Sequence, residues 1–308
     1  MSAIRLDGKA AVVTGAGRGL GQAYAIALAG AGAAVVVNDI DASAEETVGQ
    51  ITSTGGKAVS EIAAIGPSES AERLVDRAVA EFGRIDIMVT NAGVLRDRVL
   101  WKMTDEDFDL VIETHMKGTF TCLRAAASRM REQGGGGRII LVGSPAGQFG
   151  NFGQVNYSAA KAGIMTMART ASLELARAEI TVNTIVPTAW TQMTASIPLY
   201  EPLIAKVNAG EPLPRDVRRD HAIGMPEECA GLLVFLASDQ ASAITGQAIG
   251  IGGDKLTLYS HPAEAAVAFK DGGWDAAAIA QAWVSELSAS EQPSGVSLPP
   301  LELSAEEG

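Results

Sequence analysis

The stretch that decides the fold is Lys9-Ala-Ala-Val-Val-Thr-Gly-Ala-Gly-Arg-Gly-Leu-Gly21, near the start of the chain. Its first half is short, apolar and β-branched, which is typical of a buried parallel strand. The glycines come next, and Gln22-Ala-Tyr-Ala-Ile-Ala-Leu28 after them is typical of an apolar helix. A strand, a glycine-rich turn and a helix in this order predict a site for the pyrophosphate of a dinucleotide.

The glycines of this turn have separate tasks in that prediction. Gly15 permits the tight turn, Gly19 lets the backbone approach a pyrophosphate, and Gly21 lets the helix pack closely on the strand. Arg18 and Leu20 complete the turn. The helix then offers its unpaired N–H groups and the positive end of its dipole to the phosphates.

An acidic residue follows the next predicted strand. Ala34-Val-Val-Val-Asn38 leads into Asp39, 24 residues after Gly15. A carboxylate here accepts hydrogen bonds from the adenosine ribose hydroxyls and repels a 2′-phosphate, so NAD(H) is favoured over NADP(H). Arg18 acts in the opposite direction, but burying a carboxylate beside a dianion carries the larger penalty. The alternative is an ordinary aspartate of a surface loop.

A serine, a tyrosine and a lysine form the predicted catalytic group. Tyr157 and Lys161 are four residues apart, so both side chains lie on one face of a helix. An ammonium beside a phenol favours the phenolate and is expected to pull the tyrosine pKa from ~10 toward neutrality. Ser144 ends the strand-like run Arg138-Ile-Ile-Leu-Val-Gly143 and is expected to hydrogen-bond the oxygen that Tyr157 protonates or deprotonates. The group predicts proton transfer for an alcohol/carbonyl pair, although Tyr-x-x-x-Lys alone also arises by chance.

Strand and helix patterns alternate along the chain, which predicts an α/β fold: a Rossmann-type, doubly wound parallel sheet of about seven strands with helices on both faces. The predicted strands are 9–14, 34–38, 57–62, 85–90, 137–143, 180–186 and 247–251. The predicted helices are 19–30, 42–53, 69–82, 105–131, 155–177 and 226–237.

Three parts of the chain are expected. Residues 1–255 form the dinucleotide-binding catalytic domain, 256–287 a helical extension and 288–308 a mobile tail rich in Ser, Pro, Glu and Gly. In the extension, Trp274 and Trp283 flank a predicted helix that packs on the body or on a neighbour.

Composition excludes several classes of function. The formal net charge of −12 argues against a nucleic-acid partner. Only Cys122 and Cys229 are present, so we expect no disulfide framework and two buried, hydrophobic thiols. No apolar run reaches about 18 residues, and neither a secretory signal nor a peroxisomal C-terminal address is present. We therefore expect a cytoplasmic protein with no membrane span, and we predict no metal site.

The motifs resemble those of the short-chain dehydrogenase/reductase family. Thr14–Gly21, Asn91-Ala-Gly93, Ser144, Tyr157 and Lys161 occur in the family's order and spacing, over roughly residues 5–255. Two longer runs are similar to the (3R)-hydroxyacyl-CoA dehydrogenases of peroxisomal multifunctional enzymes and of bacteria: Asn91-Ala-Gly-Val-Leu-Arg-Asp-Arg98 and Gly150-Asn-Phe-Gly-Gln-Val-Asn-Tyr-Ser-Ala-Ala-Lys161.

That resemblance implies roles for the catalytic residues. Tyr157 is the general acid/base, Ser144 orients the substrate oxygen, and Lys161 lowers the tyrosine pKa and binds the nicotinamide ribose. His115 stands where the family usually has an asparagine that anchors a proton-relaying water. The histidine either holds such a water or is simply buried and satisfied by a backbone carbonyl.

The resemblance also implies the rest of the cofactor set. Asn91 supports the central sheet, and the loop with Ala92 and Gly93 touches the adenosine ribose. Pro187 and Thr191 lie near the nicotinamide carboxamide. Two departures affect this set: Thr188 replaces the usual glycine after the proline, and Ala63-Ala64-Ile65 lacks the usual acid that bonds adenine.

The substrate region is expected within residues 188–225, an irregular stretch that indicates a loop or lid. Its apolar residues are expected to line a tunnel: Ile197, Leu199, Tyr200, Leu203 and Ile204. Its basic residues suit the phosphates of coenzyme A: Arg215, Arg218, Arg219 and His221. The alternative for this cluster is a solvated loop paired in part with Asp216 and Asp220.

The resemblance implies NAD-dependent oxidation of a (3R)-3-hydroxyacyl-CoA with a fatty or steroid acyl group. A dehydrogenase of a free steroid or small alcohol, and a non-catalytic dinucleotide sensor, are the alternatives; the intact catalytic group argues against the sensor. Small and apolar residues surround much of the helix at 155–177, which predicts a homodimer or homotetramer unless they pack within the monomer.

Overall fold

Eight strands form one sheet in the computed structural model, which describes residues 4–195 and 198–301. The strands are β1 (Ala10–Val13), β2 (Ala34–Asp39), β3 (Lys57–Ile62), β4 (Ile87–Thr90), β5 (Gly137–Val142), β6 (Ile180–Pro187), β7 (Ala248–Gly252) and β8 (Lys255–Leu258). Their order across the sheet is β3-β2-β1-β4-β5-β6-β7-β8. All neighbours pair in parallel except β7 and β8. The doubly wound α/β prediction is confirmed, with β8 as an added antiparallel edge strand.

Helices connect the strands. They are α1 (Gly19–Gly30), α2 (Ser43–Ser53), α3 (Ser68–Phe82), α4 (Asp105–Val111), α5 (Gly118–Gln133), α6 (Pro145–Phe149), α7 (Val155–Leu175), α8 (Gln192–Ala195), α9 (Ile204–Asn208), α10 (Arg215–Arg219), α11 (Pro226–Ala237) and α12 (Ala276–Ala282). The predicted helix over 105–131 is interrupted: a π-helical segment, Ile112–Lys117, separates α4 from α5. The apolar periodicity does not distinguish so short a π segment from an α-helix. None of the helices in the described ranges is long and apolar enough to cross a membrane.

Apolar side chains fill the space on both faces of the sheet. Val12 and Val13 are both fully buried, one in each of two core clusters, because adjacent strand residues point to opposite faces. Leu28 of α1 packs in the cluster with Val13, and Leu74 of α3 packs in the cluster with Val12. Burying one such side chain stabilises the fold by about 2 kcal/mol. This arrangement explains why the first strand is a continuous apolar run.

The order of the strands positions the functional site. The chain runs from β1 outward to β3 and then returns to the other side of β1 with β4, so the direction of winding reverses between β1 and β4. In open α/β sheets, ligands bind at such a reversal, outside the carboxyl ends of the strands. The glycine-rich turn follows β1 and Asn91 follows β4 at this edge.

The described residues within 188–225, the predicted lid, have a small core of their own. Trp190, Tyr200, Leu203, Leu213, Val217 and Ile223 are buried together there. Tyr200 and Leu203, expected to line a tunnel, are therefore packed inside the lid. Leu199 is exposed and Ile204 packs against the cluster, whereas Ile197 lies outside the described residues.

The C-terminal extension contains the predicted helix, α12, which begins after the capping side chain of Asp275. Trp274 and Trp283 stay partly exposed at its two ends. The described part of the tail contacts the body: Gly295 N–H donates to the carbonyl of Phe149 at 2.7 Å, and Pro299 O lies 2.8 Å from His221 Nε2.

Candidate active site

The glycine-rich turn leaves open space for a ligand on one side and is tightly packed on the other. Gly15 has a φ of +60°, and a Cβ there would lie 2.7 Å from Ala92 Cα. A Cβ on Gly21 would collide with the carbonyl oxygen of Gly15. Gly19 has a φ of +57°, and a Cβ there would meet no heavy atom within 4 Å. The turn is thus closed toward the sheet and open at Gly19, as a phosphate-binding turn requires.

Asn91 joins the end of β4 to this turn. Its Nδ2 donates to the carbonyls of Thr14 and Gly15 at 3.1 and 2.9 Å. The N–H groups of Asn91 and Ala92 donate to the hydroxyl of Thr14 at 3.0 and 3.1 Å. These bonds hold the two loops together and fix the floor of the dinucleotide crevice.

Asp39 lies at the carboxyl end of β2, against the same turn. Its Oδ2 accepts from Gly17 N–H at 2.8 Å and its Oδ1 accepts from Ile40 N–H at 2.7 Å. The carboxylate is thereby held at the turn, where an adenosine ribose would be bound. Arg18 turns away from it and pairs with Asp41 at 2.6 Å.

Ser144, Tyr157 and Lys161 come together beyond the end of β5. Ser144 caps α6, where its Oγ accepts from Ala146 N–H at 3.2 Å. The Lys161 ammonium lies 5.5 Å from the centroid of the Tyr157 ring. Lys161 is buried and Tyr157 is partly exposed at the crevice. The arrangement brings an alcohol donor, a phenol and an amine to one place, which is the geometry proton transfer needs.

Burial determines the protonation of the phenol and the amine. Burial raises the pKa of Tyr157; a hydrogen bond with Ser144 lowers it in part, and the charge of Asp97 raises it further. Burial lowers the pKa of Lys161 to about 7. The expected fall of the tyrosine pKa toward neutrality is therefore not what the structure shows. The reason is that loss of water around the phenol is the larger effect, and burial of Lys161 also disfavours the charged ammonium that would attract a phenolate.

His115 lies in the π-helical segment, with its ring edge-on to Tyr157 at a centroid distance of 5.2 Å. Its Nε2 lies 2.8 Å from the carbonyl oxygen of Val94 and 3.0 Å from the Val94 N–H nitrogen, so either tautomer is satisfied. Its Nδ1 is buried and has no protein partner among the described residues. Burial, and then the charge of Lys161, lower the pKa of the ring to about 3, so His115 is neutral.

The loop after β6 contains the residues expected to lie near the nicotinamide. Thr188 N–H donates to Ile251 O at 2.9 Å, and Trp190 N–H donates to Gly224 O at 2.7 Å. Thr191 Oγ1 accepts from Thr194 N–H at 3.3 Å. Pro187 ends the strand. The threonine at 188 is accommodated without a positive φ, and the loop is tied to both β7 and the lid base.

The basic cluster of the lid does not act as one group. Arg218 pairs with Glu228 and Asp254, each at 2.7 Å, which fixes α10 to the body. His221 is buried, with Nδ1 2.8 Å from the Tyr200 hydroxyl. Arg215 and Arg219 remain exposed. The coenzyme A interpretation therefore loses Arg218 and His221 and retains the other two arginines.

Two neighbours of the site, Asn156 and Gln154, were not predicted from the sequence. Asn156 is buried; its Nδ2 donates to Arg96 O at 3.1 Å and its Oδ1 accepts from Tyr157 N–H at 2.8 Å, which fixes the start of α7. Gln154 donates to Asp97 at 2.7 Å, beside the phenol. Gly93 was predicted in the cofactor loop, and the structure adds that a Cβ there would collide with the ring of His115. The only sequence signal for Asn156 and Gln154 is membership in one of the two long runs quoted above.

These residues fit a dinucleotide. The turn and Asp39 would hold the adenosine half, and Tyr157, Lys161 and the loop after Pro187 surround the place for the nicotinamide half.

Cys122 and Cys229 are both buried, and burial raises the pKa of each thiol to about 12. Within the described ranges no group of three or more metal-ligating side chains is present.

The chain is similar to known proteins over most of its length. Residues 15–253 match a family model described as enoyl-(acyl carrier protein) reductase. Hydroxyacyl-CoA dehydrogenase ChsB1 of Mycobacterium tuberculosis is 39% identical over 270 residues, which cover 83% of this chain and 81% of that protein. Peroxisomal multifunctional enzyme type 2 of Drosophila melanogaster is 44% identical over 204 residues, or 63% of this chain, and the match spans 33% of that longer protein.

A solved structure of a short chain dehydrogenase from Mycobacterium avium is also similar, with a TM-score of 0.82 and 34% identity. The match covers 96% of this chain and 99% of that one. The fold therefore agrees with that of this solved structure. The chain belongs to the short-chain dehydrogenase/reductase family, whose members are oxidoreductases that use a nicotinamide dinucleotide and act on CH–OH groups.

Proposed function

We propose that the protein is an NAD-dependent dehydrogenase that oxidises a (3R)-3-hydroxyacyl-CoA, with a fatty or steroid acyl group, to the 3-oxoacyl-CoA. The observation that carries the proposal is the meeting of Ser144, Tyr157 and a buried Lys161 beside the dinucleotide crevice. The similarity to the mycobacterial hydroxyacyl-CoA dehydrogenase supports the substrate class. The (3R) configuration rests on the resemblance of the two long sequence runs.

The chain's own residues move one proton in this reaction. The Tyr157 phenol first passes its proton to the Lys161 amine. The hydroxyl proton of the substrate then passes to the resulting phenolate, while Ser144 hydrogen-bonds the substrate oxygen, which becomes the carbonyl oxygen. The bound nicotinamide supplies the acceptor for the hydride that leaves the carbinol carbon. Because Tyr157 then carries the proton, a path from the phenol to solvent is needed for the next turnover.

Lys161 and His115 provide that path in this proposal. The lysine pKa of about 7 lets the amine both take up and release a proton near neutral pH. His115 Nδ1, buried and without a protein partner among the described residues, is placed to hold a water molecule beside the amine. The neutral ring therefore positions water and does not itself change charge.

Asp39 supports the choice of NAD. It stands at the turn as a carboxylate, whereas Arg18 is occupied by Asp41. A 2′-phosphate would meet two acids and a cation already paired.

A second candidate is a 3-oxoacyl-thioester reductase acting on acyl carrier protein, which the similarity to 3-oxoacyl-(acyl-carrier-protein) reductases favours. Assembly as a homodimer or homotetramer is also proposed, because α7 and α5 expose Leu173 (81%) and Phe120 (45%). A cytoplasmic location stays a prediction.

Formation of reduced nicotinamide tests the proposal directly. The purified chain is given NAD⁺ or NADP⁺ with a (3R)- or (3S)-3-hydroxyacyl-CoA, the matching acyl carrier protein thioester, or a free secondary alcohol. We expect the highest kcat/KM for NAD⁺ with the (3R)-CoA thioester. Equal or better rates with the carrier-protein thioester would favour the second candidate, and no turnover with any substrate would favour a sensor.

A further inference from the structure

Arg18 is the cation of the glycine-rich turn, and its position is fixed by Asp41 and Ser43, at the start of α2. Its guanidinium lies 2.6 Å from Asp41 Oδ2 and 3.3 Å from Ser43 Oγ. Asp41 is held in turn, because its Oδ1 accepts from Ser43 N–H at 2.9 Å. Hydrogen bonds from Ser43, and then the pairing with Arg18, lower the pKa of Asp41, so the carboxylate is charged at neutral pH.

The pair is continuous with Asp39. A Cβ on Gly17 would collide with Ser43 Oγ and would lie 2.8 Å from Asp39 Oδ2, so the turn, Asp39 and the start of α2 are in contact. Arg18 follows Gly17 directly. The Arg18 side chain is therefore long enough to reach the position beside Asp39 that a 2′-phosphate would occupy, yet it points to Asp41.

We propose that Asp41 is a second residue that determines cofactor specificity: it withholds Arg18 from a 2′-phosphate and adds a negative charge beside Asp39. This inference rests on the proposed preference for NAD and goes beyond it, since it states why a turn that contains an arginine does not favour NADP. Neutralising Asp39 alone leaves Arg18 paired. Both acids must be neutralised before the guanidinium is free to bind a phosphate.

Because Arg18 and Asp41 are exposed, Arg18 is able to leave Asp41 and bind a phosphate. The side chains of Arg18 and Asp41 are 63% and 51% exposed, so water and salt screen their attraction. The exposed Asp41 carboxylate holds Arg18 only weakly. A neutral asparagine at position 41 would compete even less well with a phosphate dianion for the guanidinium. The effect is thus expected in affinity for NADP⁺ and not in the stability of the fold.

The test is calorimetric titration of NAD⁺ and NADP⁺ into the purified full-length chain without substrate, at low salt. The variants are Asp39→Asn, Asp39→Asn/Asp41→Asn, and the charge-matched control Asp39→Asn/Glu45→Gln, since Glu45 is an exposed acid in the first turn of α2. We expect the Asp39/Asp41 double variant to bind NADP⁺ about fivefold to tenfold more tightly than Asp39→Asn. The control should match Asp39→Asn, and adding Arg18→Ala to the double variant should remove the gain.

Two outcomes would overturn the inference: a double variant that binds NADP⁺ no more tightly than Asp39→Asn, or an equal gain in the Glu45 control. The second outcome would mean that only total charge matters. If the proposed preference for NAD is wrong, the unmodified chain will bind NAD⁺ and NADP⁺ with equal affinity. Comparison of the variants still decides the role of Asp41 in that case.

Discussion

Lys161 Nζ donates a hydrogen bond to the carbonyl oxygen of Val142, at a distance of 2.7 Å. Val142 is the last residue of β5, two positions before Ser144, so this bond joins the helix that carries Tyr157 to the strand that leads to the serine. It also explains how an amine is tolerated in the interior: one donor is satisfied by a backbone carbonyl, and burial lowers the pKa so that much of the charge is lost.

Replacing Tyr157 by Phe removes the phenolic proton donor and leaves the shape of the site unchanged. We expect turnover to fall by at least ~10²-fold, the usual contribution of general acid/base catalysis, while the affinity for NAD⁺ stays within about twofold. Single-turnover rates and calorimetric titration measure the two quantities. A variant that turns over at close to the original rate would exclude Tyr157 as the acid/base.

Lys161 makes the stability of the fold depend on pH. Its pKa is about 7 in the folded protein and about 10.4 in an unfolded chain, so between these values the unfolded state binds more protons. Stability contributed by this residue therefore rises with pH from about 7 and is complete only above the unfolded value, at a slope of at most about 1.4 kcal/mol per pH unit.

Urea unfolding of the unmodified chain and of Lys161→Met, between pH 7 and pH 9, measures this dependence. The free energy of unfolding of the unmodified chain should increase relative to that of the variant as the pH rises. A difference that is constant over this range would show that the folded amine titrates like an exposed one.

His115 separates a water-positioning role from a purely structural one. His115→Asn restores the residue that the family usually has, whereas His115→Val removes both nitrogens. We expect kcat of the Val variant to fall by about tenfold with little change in KM, and the Asn variant to recover most of it. Melting temperatures of the two variants provide the control, since a structural role would lower stability and activity together without rescue by asparagine.

Most strands of the sheet were predictable because they contain short apolar, β-branched runs, as in Ala10–Val13 and Ala34–Asp39. The edge strand β3 has a mixed sequence but was still found from its β-branched residues. Lys57–Ile62 was predicted at its observed bounds. The π-helical turn around His115 and the interior packing of Tyr200 were not predictable. Both depend on contacts between distant parts of the chain, and neither changes the local periodicity.

The site was predictable where backbone geometry demands a residue type, as at Gly15 and Gly21. The site was not predictable where a side chain's ion-pair or hydrogen-bond partner comes from a distant part of the chain. Arg218 had the same local sequence signal as Arg215, yet Glu228 and Asp254, 10 and 36 residues away, make it a structural anchor of the lid.

Because Arg218 is an anchor and the other arginines of the cluster are not, substitutions can test whether the substrate is a coenzyme A thioester. Arg215 and Arg219 are exposed and free of the anchor, so Arg215→Ala/Arg219→Ala should weaken contacts to the phosphates of coenzyme A without loosening the lid. We expect a severalfold rise in KM for the CoA thioester, larger at low salt, and an unchanged kcat. A thioester of N-acetylcysteamine, which lacks those phosphates, should show no change.

Arg218→Ala is the contrasting variant: loss of the anchor should raise KM for both thioesters alike. An equal effect of the double variant on both substrates would assign the two arginines to the lid, and no effect on either would remove the phosphate contact from the proposal.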